Sequence, residues 1–135
     1  MRVLYDPAPR ATDEILSPGE LALLRSRHEV TEWRGEDRDA FYARNLPETE
    51  ILISQQAMGA ERLGLAPKLK AIFNVETNFL PNVDYAECFR RGIHVLAPGA
   101  VFAAPVAEMA LGMALSLARN IHGEHAAFLQ PSLEV

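Results

Sequence analysis

Cysteine is almost missing from this sequence of 135 residues, in which Cys88 stands alone. One cysteine excludes an internal disulfide framework and is typical of a reducing compartment, so we expect a cytoplasmic protein. Basic residues never form a run longer than two, and the net charge is −5 at pH 7. We therefore expect neither nucleic acid nor a membrane surface as a partner.

Glycine motifs that bind nucleotides are missing as well. The eight glycines form no G-x-G-x-x-G, and Gly59 and Gly64, which have the spacing of a P-loop, are followed by Leu65 and Ala66 instead of Lys and Ser/Thr. The chain alone is therefore not expected to bind a nucleotide cofactor. A metal site is not expected either, because two histidines three residues apart near the C-terminus have no third ligand close to them.

Apolar runs that predict strands alternate along the chain with signals for helices. Strands are predicted at 2–5, 29–33, 50–54, 69–75 and 93–96. Ser17, Pro18 and Glu20 form a capping box that opens one helix, and we expect Asn82 to cap another that stops at Gly92. This alternation predicts an α/β protein with a flavodoxin-like parallel sheet and helices on both faces.

A long helix is predicted to begin at Pro105 and to end at Ile121. It is apolar on nearly all sides, so we expect it to be buried on most of them. The predicted organisation is a flavodoxin-like domain at 1–104, the long helix at 105–121 and a tail at 122–135.

Several short blocks in the second half of the chain resemble one enzyme family. They are Ala71 to Val75, Asn82-Val83-Asp84, Arg91 to Val95, Pro98-Gly99 and Val106-Ala107-Glu108. In this order and spacing they are similar to the D-isomer-specific 2-hydroxyacid dehydrogenases, in the N-terminal part of the substrate-binding (catalytic) domain. The family's Rossmann cofactor domain, catalytic arginine and acid/base histidine have no counterpart in this sequence.

Candidate site residues follow the predicted strands, since ligands of open parallel sheets gather at the carboxyl ends of the strands. Gln55 and Gln56 follow the third strand, and a polar loop follows the fourth. The resemblance implies that backbone N–H groups of Val75 and Glu76 in this loop hold the substrate carboxylate, and that Val106 packs near the nicotinamide. A negative charge on Glu76 would oppose carboxylate binding there, so Glu76→Gly is expected to strengthen it by about 1 kcal/mol.

The resemblance implies an NAD(P)-dependent oxidoreductase that transfers hydride between nicotinamide and a small 2-hydroxy or 2-keto acid. NAD or NADP is expected as the cofactor of the full-length enzyme, whereas this chain alone is expected to be inactive and to carry no cofactor. We also expect a homodimer through the helix from Pro105 to Ile121, since an uncovered apolar helix is unfavourable in water. The alternative is a free-standing flavodoxin-like binding or interaction module without enzymatic activity.

Overall fold

The computed structural model describes residues 1–76 and 78–129, which fall into two compact units divided after Gly99. The first unit holds a five-stranded sheet of order β2-β1-β3-β4-β5, in which every pairing is parallel. Its strands are β1 Arg2–Asp6, β2 Glu29–Glu32, β3 Ile51–Ser54, β4 Ala71–Phe73 and β5 His94–Leu96. This order is that of flavodoxin-like folds, so the predicted fold class is confirmed.

Helices connect these strands as the alternation predicts. They are α1 Thr12–Ile15, α2 Pro18–Arg27, α3 Arg38–Asn45, α4 Ala60–Gly64 and α5 Tyr85–Arg91, with a short 3-10 helix at Leu46–Glu48. The capping box at the start of α2 is confirmed: the N–H of Glu20 donates to Ser17 Oγ at 3.3 Å, and the Ser17 N–H donates to the Glu20 carboxylate at 2.8 Å. Helix α1 was not predicted.

The start of α5 differs from the prediction. Asp84, not Asn82, is the N-cap, and its carboxylate accepts a hydrogen bond of 3.0 Å from the N–H of Glu87. Val83 forms a parallel bridge with Met58, which donates to the carbonyl of Asn82 at 2.6 Å and accepts from the N–H of Asp84 at 3.0 Å. The helix can begin only after this bridge. It ends at Gly92 as predicted, with φ of 70° in the left-handed region.

The core of the first unit lies along the middle of the sheet. Leu4 is in register with Leu52, and Leu52 with Ile72, so that three central strands place an aliphatic side chain at the same level. All three are buried. Helices and loops cover them with further buried side chains: Phe41, Tyr42, Leu46, Met58, Leu63, Ala66, Leu69, Val83, Cys88 and Ile93. The burial of this apolar surface is the main stabilising contribution to the unit.

The second unit contains α6 Ala103–Ala118 and α7 Ile121–Phe128, preceded by a 3-10 helix at Gly99–Phe102. The single helix predicted to reach Ile121 is wrong in its end, because Asn120 has φ of 50° in the left-handed region and separates the two helices. The stretch Gly99–Ala118 is long and apolar enough to cross a membrane, by length and composition only.

The predicted burial of the long helix is also wrong for the described chain. Its large apolar side chains are exposed: Val106, Met109, Leu111, Met113, Leu115 and Leu117. The described part of the second unit has two helices, and one short helix cannot cover a neighbour that is apolar on all sides. The three-part division at 104 and 121 stays a prediction, and residues 130–135 of the predicted tail lie outside the described residues.

Candidate functional site

The candidate site lies at the carboxyl edge of the sheet, where loops leave β1, β3 and β4. The register that pairs Asp6 with Ser54 and Ile53 with Phe73 brings these loops side by side. Accordingly, Glu76 in the β4 loop donates its backbone N–H to Gln55 Oε1 in the β3 loop at 2.9 Å. Two residues predicted from sequence to share a site are therefore in contact.

The backbone N–H of Glu76, which the resemblance assigns to the substrate carboxylate, already donates to the side chain of Gln55. Gln55 accepts this hydrogen bond with its side-chain carbonyl oxygen, where the substrate carboxylate was predicted. Its backbone carbonyl accepts from Asn82 Nδ2 at 3.2 Å, which holds the β3 loop against the stretch before α5. Gln55 Nε2 is buried and has no hydrogen-bond partner among the described residues. A carboxylate that displaced Oε1 would therefore meet both a freed backbone N–H and a side-chain amide already next to it.

Asn74 is a further site residue that sequence reasoning did not single out. It is 3% exposed, and its backbone N–H donates to the carbonyl of Leu96 at 2.8 Å. Neither polar atom of its side chain has a partner within the described parts of the chain, and the same holds for Asn82 Oδ1. A buried amide without a partner costs free energy, so these groups are suited to a polar ligand or bound water. The available signal was an asparagine directly after an apolar strand.

The carboxylate of Glu76 is paired with an arginine, whereas the sequence-based expectation took its charge to be uncompensated. Arg10, in the loop after β1, donates from Nε to Glu76 Oε1 at 2.9 Å and from Nη2 to Oε2 at 3.4 Å. The ion pair neutralises much of the carboxylate, so a repulsion of about 1 kcal/mol between Glu76 and a bound anion is no longer expected. The hydrogen bonds that Arg10 donates to Glu76 also raise the pKa of Arg10, which stays cationic.

Gln56 faces the β1 loop. Its Nε2 donates to the carbonyl of Ala8 at 3.1 Å, and its backbone N–H donates to Ser54 Oγ at 3.0 Å. These contacts give it a role in positioning the loops, and its predicted contact with substrate stays a prediction. Val75 is half-buried between Asn74 and Glu76. Its predicted hydrogen bond to a carboxylate likewise stays a prediction.

A buried polar network lies at the ends of β1 and β3, where the two loops begin. Asp6 is fully buried at the end of β1 and lies 3.0 Å from Arg38 Nε as an ion pair. The hydroxyl of Tyr42 donates to Asp6 Oδ2 at 3.2 Å and lies 2.8 Å from Ser54 Oγ. Burial is the main cause that raises the pKa of Tyr42, so the phenol is neutral. The network joins the ends of two neighbouring strands and fixes the positions from which both loops start.

The described residues of the first unit lack the motif by which parallel sheets bind a dinucleotide. A dinucleotide needs a glycine-rich turn after a strand, and the turn after β1 reads Pro7-Ala8-Pro9-Arg10 instead. Val106, the predicted contact of the nicotinamide, is 63% exposed on α6. No group of three His, Cys, Asp or Glu side chains suited to a metal occurs in the described ranges. The glycine-rich turn that holds a dinucleotide is therefore not found in residues 1–76 and 78–129, and the expectation that this chain alone carries no cofactor stays a prediction.

The structure is similar to solved dehydrogenases over nearly the whole chain. A phosphoglycerate oxidoreductase from Rhizobium etli matches 93% of this chain with 41% identity and a TM-score of 0.82. An NAD-dependent formate dehydrogenase from Staphylococcus aureus in complex with NAD matches 99% of it with 22% identity and a TM-score of 0.59. A D-lactate dehydrogenase from Aquifex aeolicus complexed with NAD and lactic acid matches 98% with 22% identity and a TM-score of 0.61.

These matches confirm the resemblance to the D-2-hydroxyacid dehydrogenases, most strongly through the protein of 41% identity. The two matches at 22% identity support the fold alone. The chain spans only 40%, 43% and 40% of the length of these three proteins, so the resemblance concerns part of a dehydrogenase. No protein-family model and no curated protein sequence matches the chain.

Proposed function

We propose that this chain is a segment of the substrate-binding domain of an NAD(P)-dependent D-2-hydroxyacid dehydrogenase. Its role in such an enzyme is to bind the carboxylate of a small 2-hydroxy or 2-keto acid at the β4 loop. The proposal rests on the hydrogen bond from the backbone N–H of Glu76 to Gln55 Oε1 at the carboxyl edge of the sheet. A ligand carboxylate can take the place of this side-chain acceptor. The likeness to a phosphoglycerate oxidoreductase supports the same class of substrate.

In this proposal the chain contributes binding and orientation only. When bound to the complete enzyme, the nicotinamide would supply or accept a hydride at C2 of the substrate. The Glu76 N–H and the side-chain amides of Gln55 and Asn74 would hold C1 at the sheet edge. Because they are buried or half-buried, hydrogen bonds to an anion there are stronger than at an open surface.

Backbone NMR of the labelled chain tests the carboxylate site directly. On titration with D-lactate, we expect the largest shift at the Glu76 amide, together with a shift of the Gln55 side-chain amide as its hydrogen bond to Glu76 is released. Lactamide, which has the same shape without the anionic group, is the matched control and should leave both signals in place. Shifts confined to another edge of the sheet would contradict the proposed site.

The same sample separates the two candidate functions. Calorimetry with NADH should detect no binding by this chain, because no glycine-rich turn follows a strand in its described residues. Comparison of the intact mass with the open reading frame then distinguishes a piece of an enzyme from a short free-standing module. Micromolar NADH binding would contradict the proposal that the cofactor is held elsewhere in a longer protein.

We also propose that the chain forms a homodimer through α6. The support is the continuous apolar surface of this helix, on which Leu117 is 76% exposed and Met109 is 69% exposed. Exposed apolar surface of this extent marks an interaction site in soluble proteins. The competing occupant is a membrane, since Gly99–Ala118 meets the length and composition of a span.

A further inference from the structure

Arg10 places a cation beside the candidate carboxylate site. Its guanidinium is paired with the side chain of Glu76, and the backbone N–H of the same residue is the donor that we assign to the substrate carboxylate. The two donors are therefore separated by no more than one glutamate side chain and its ion pair. A small acid whose C1 carboxylate is held by the N–H would extend its other end within reach of Arg10.

The backbone of Arg10 is held in place by the loop after β1. Its N–H donates to the carbonyl of Pro7 at 3.0 Å, which closes a turn. The N–H of Ala8 donates to buried Asp6 at 3.3 Å, and the carbonyl of Ala8 accepts from Gln56 at 3.1 Å. The start of the arginine side chain is thus fixed from both the β1 and β3 loops, so less entropy is lost when it binds a ligand.

Part of the guanidinium remains available to a ligand. Arginine has five N–H donors, and Glu76 accepts from Nε and Nη2. The side chain is 51% exposed, whereas the Glu76 side chain is 28% exposed. Within the described ranges, Glu14 is a second acidic group near Arg10, and its carboxylate accepts from the N–H of Ala11 at 2.7 Å. Glu76 therefore orients the guanidinium and leaves donors that point away from the pair.

We propose that Arg10 is a specificity residue that binds a second anionic group of the substrate, so that the site selects 2-hydroxy acids with two anionic groups. This inference rests on the proposed function, because it takes the C1 carboxylate to be held at Glu76. Both a planar carboxylate and a tetrahedral phosphate can bind Arg10, because each has oxygens that accept paired N–H donors. Glu76 moderates the site, since its carboxylate orients the guanidinium and compensates part of its positive charge.

The test is calorimetry of the purified chain with three acids: D-glycerate, D-malate and 3-phospho-D-glycerate. The first has one anionic group, the second has two carboxylates and the third has a carboxylate and a phosphate. We expect the acids with two anionic groups to bind more tightly than D-glycerate. In Arg10→Gln this preference, measured as the ratio of affinities to that for D-glycerate, should fall about fivefold, as for loss of one partly exposed charge pair. The affinity for D-glycerate should fall less than that for the other two acids, since the variant also leaves the Glu76 carboxylate without its ion-pair partner. The stronger of malate and phosphoglycerate identifies which second anion the site favours.

Two further variants make the result specific. Glu76→Gln keeps the backbone N–H and a hydrogen-bond acceptor for Arg10 but removes the charge that compensates the guanidinium, so it should increase the preference for two anions. Arg90→Gln is the matched control, because Arg90 is also an exposed arginine paired with a glutamate, Glu87, at 2.6 Å. It should leave all three affinities unchanged, and thermal unfolding checks that each variant is folded.

The outcomes separate this inference from the function on which it rests. If D-glycerate shifts the Glu76 amide but binds as tightly as the other two acids, or if Arg10→Gln leaves their preference intact, the role of Arg10 is wrong and the carboxylate site stands. If none of the three acids binds the wild-type chain, the carboxylate site and the role of Arg10 are both overturned.

Discussion

Asp6 is the residue on which the polar edge of the sheet depends. It is a fully buried carboxylate at the end of β1, with Arg38 at 3.0 Å and the hydroxyl of Tyr42 at 3.2 Å. Ion pairs of this kind are costly to break, because removal of one partner leaves a buried charge without compensation. Since the same tyrosine also reaches Ser54 on β3, its hydroxyl joins the two strands that carry the Arg10 and Gln55 loops.

Tyr42→Phe should lower the free energy of unfolding by about 1–2 kcal/mol, because it removes a buried hydrogen bond to a charged acceptor. Urea denaturation followed by circular dichroism measures this change. Tyr85→Phe is the control: the Tyr85 hydroxyl donates to the Leu80 carbonyl in an exposed setting, so a loss below about 0.5 kcal/mol is expected. Equal losses in both variants would contradict a special role for the buried network.

The same tyrosine predicts how stability depends on pH. Burial raises the pKa of Tyr42 in the folded chain above its ordinary value of 10.0. The neutral phenol is therefore favoured by folding, and this stabilisation is complete below pH 10.0 and is lost as the pH rises towards the folded value. Unfolding free energies at increasing alkaline pH should fall more steeply for the wild type than for Tyr42→Phe. A shallower fall should remain in the variant, since burial also raises the pKa of Tyr5.

At the scale of secondary-structure elements, capping groups set the helix bounds of the first unit. Ser17 opens α2 and Asp84 opens α5, each through a side-chain oxygen that accepts a backbone N–H. Gly92 ends α5 in a left-handed conformation that most residues adopt only with strain. The bridge between Met58 and Val83 moves the start of α5 two residues beyond the first capping candidate. Local sequence signals therefore indicate where a helix can begin or end, and contacts with other elements determine which of these positions is used.

Asp84→Ala should destabilise the chain by about 1 kcal/mol, the usual cost of an N-cap. Asp84→Asn is the matched variant, because asparagine caps a helix nearly as well and differs only in charge, so it should retain most of the stability. Thermal or urea unfolding measures both. If Asp84→Asn cost as much as Asp84→Ala, or if neither changed the stability, capping by Asp84 would not contribute to the stability of the chain.

For the whole molecule, the contrast between the two units is the main feature. The first encloses a continuous apolar core, whereas the apolar side chains of α6 in the second are exposed. Exposed apolar surface of this extent is unfavourable in water, which is why we propose a second copy of the chain as its cover. Since the chain spans about 40% of the length of the dehydrogenase of 41% identity, a longer protein would offer a further cover.

Leu115→Glu should convert the proposed dimer into a monomer, since a buried charge without a partner costs several kcal/mol at an interface. Sedimentation equilibrium at micromolar concentration measures the mass. Ser26→Glu adds the same charge to the exposed surface of α2 and should leave the mass unchanged. A monomeric wild type would contradict the dimer, and flotation of the wild type with lipid vesicles would assign α6 to a membrane instead.

Much of the fold could be read from local patterns, because helix caps, strand alternation and glycine stops are short-range effects of backbone sterics and hydrogen bonding. The α/β class, all five strands, the start of α2 and the end of α5 follow from residues close in sequence. The candidate site was predicted in part, since Gln55 and Glu76 each follow a strand whose carboxyl end faces the same edge. The ion pair of Arg10 with Glu76 joins residues 66 positions apart. It depends on the register of three strands, whereas the contact of Tyr42 with Asp6 depends on the packing of α3 against the sheet. No local pattern encodes either arrangement, because both join residues that only the tertiary structure brings together.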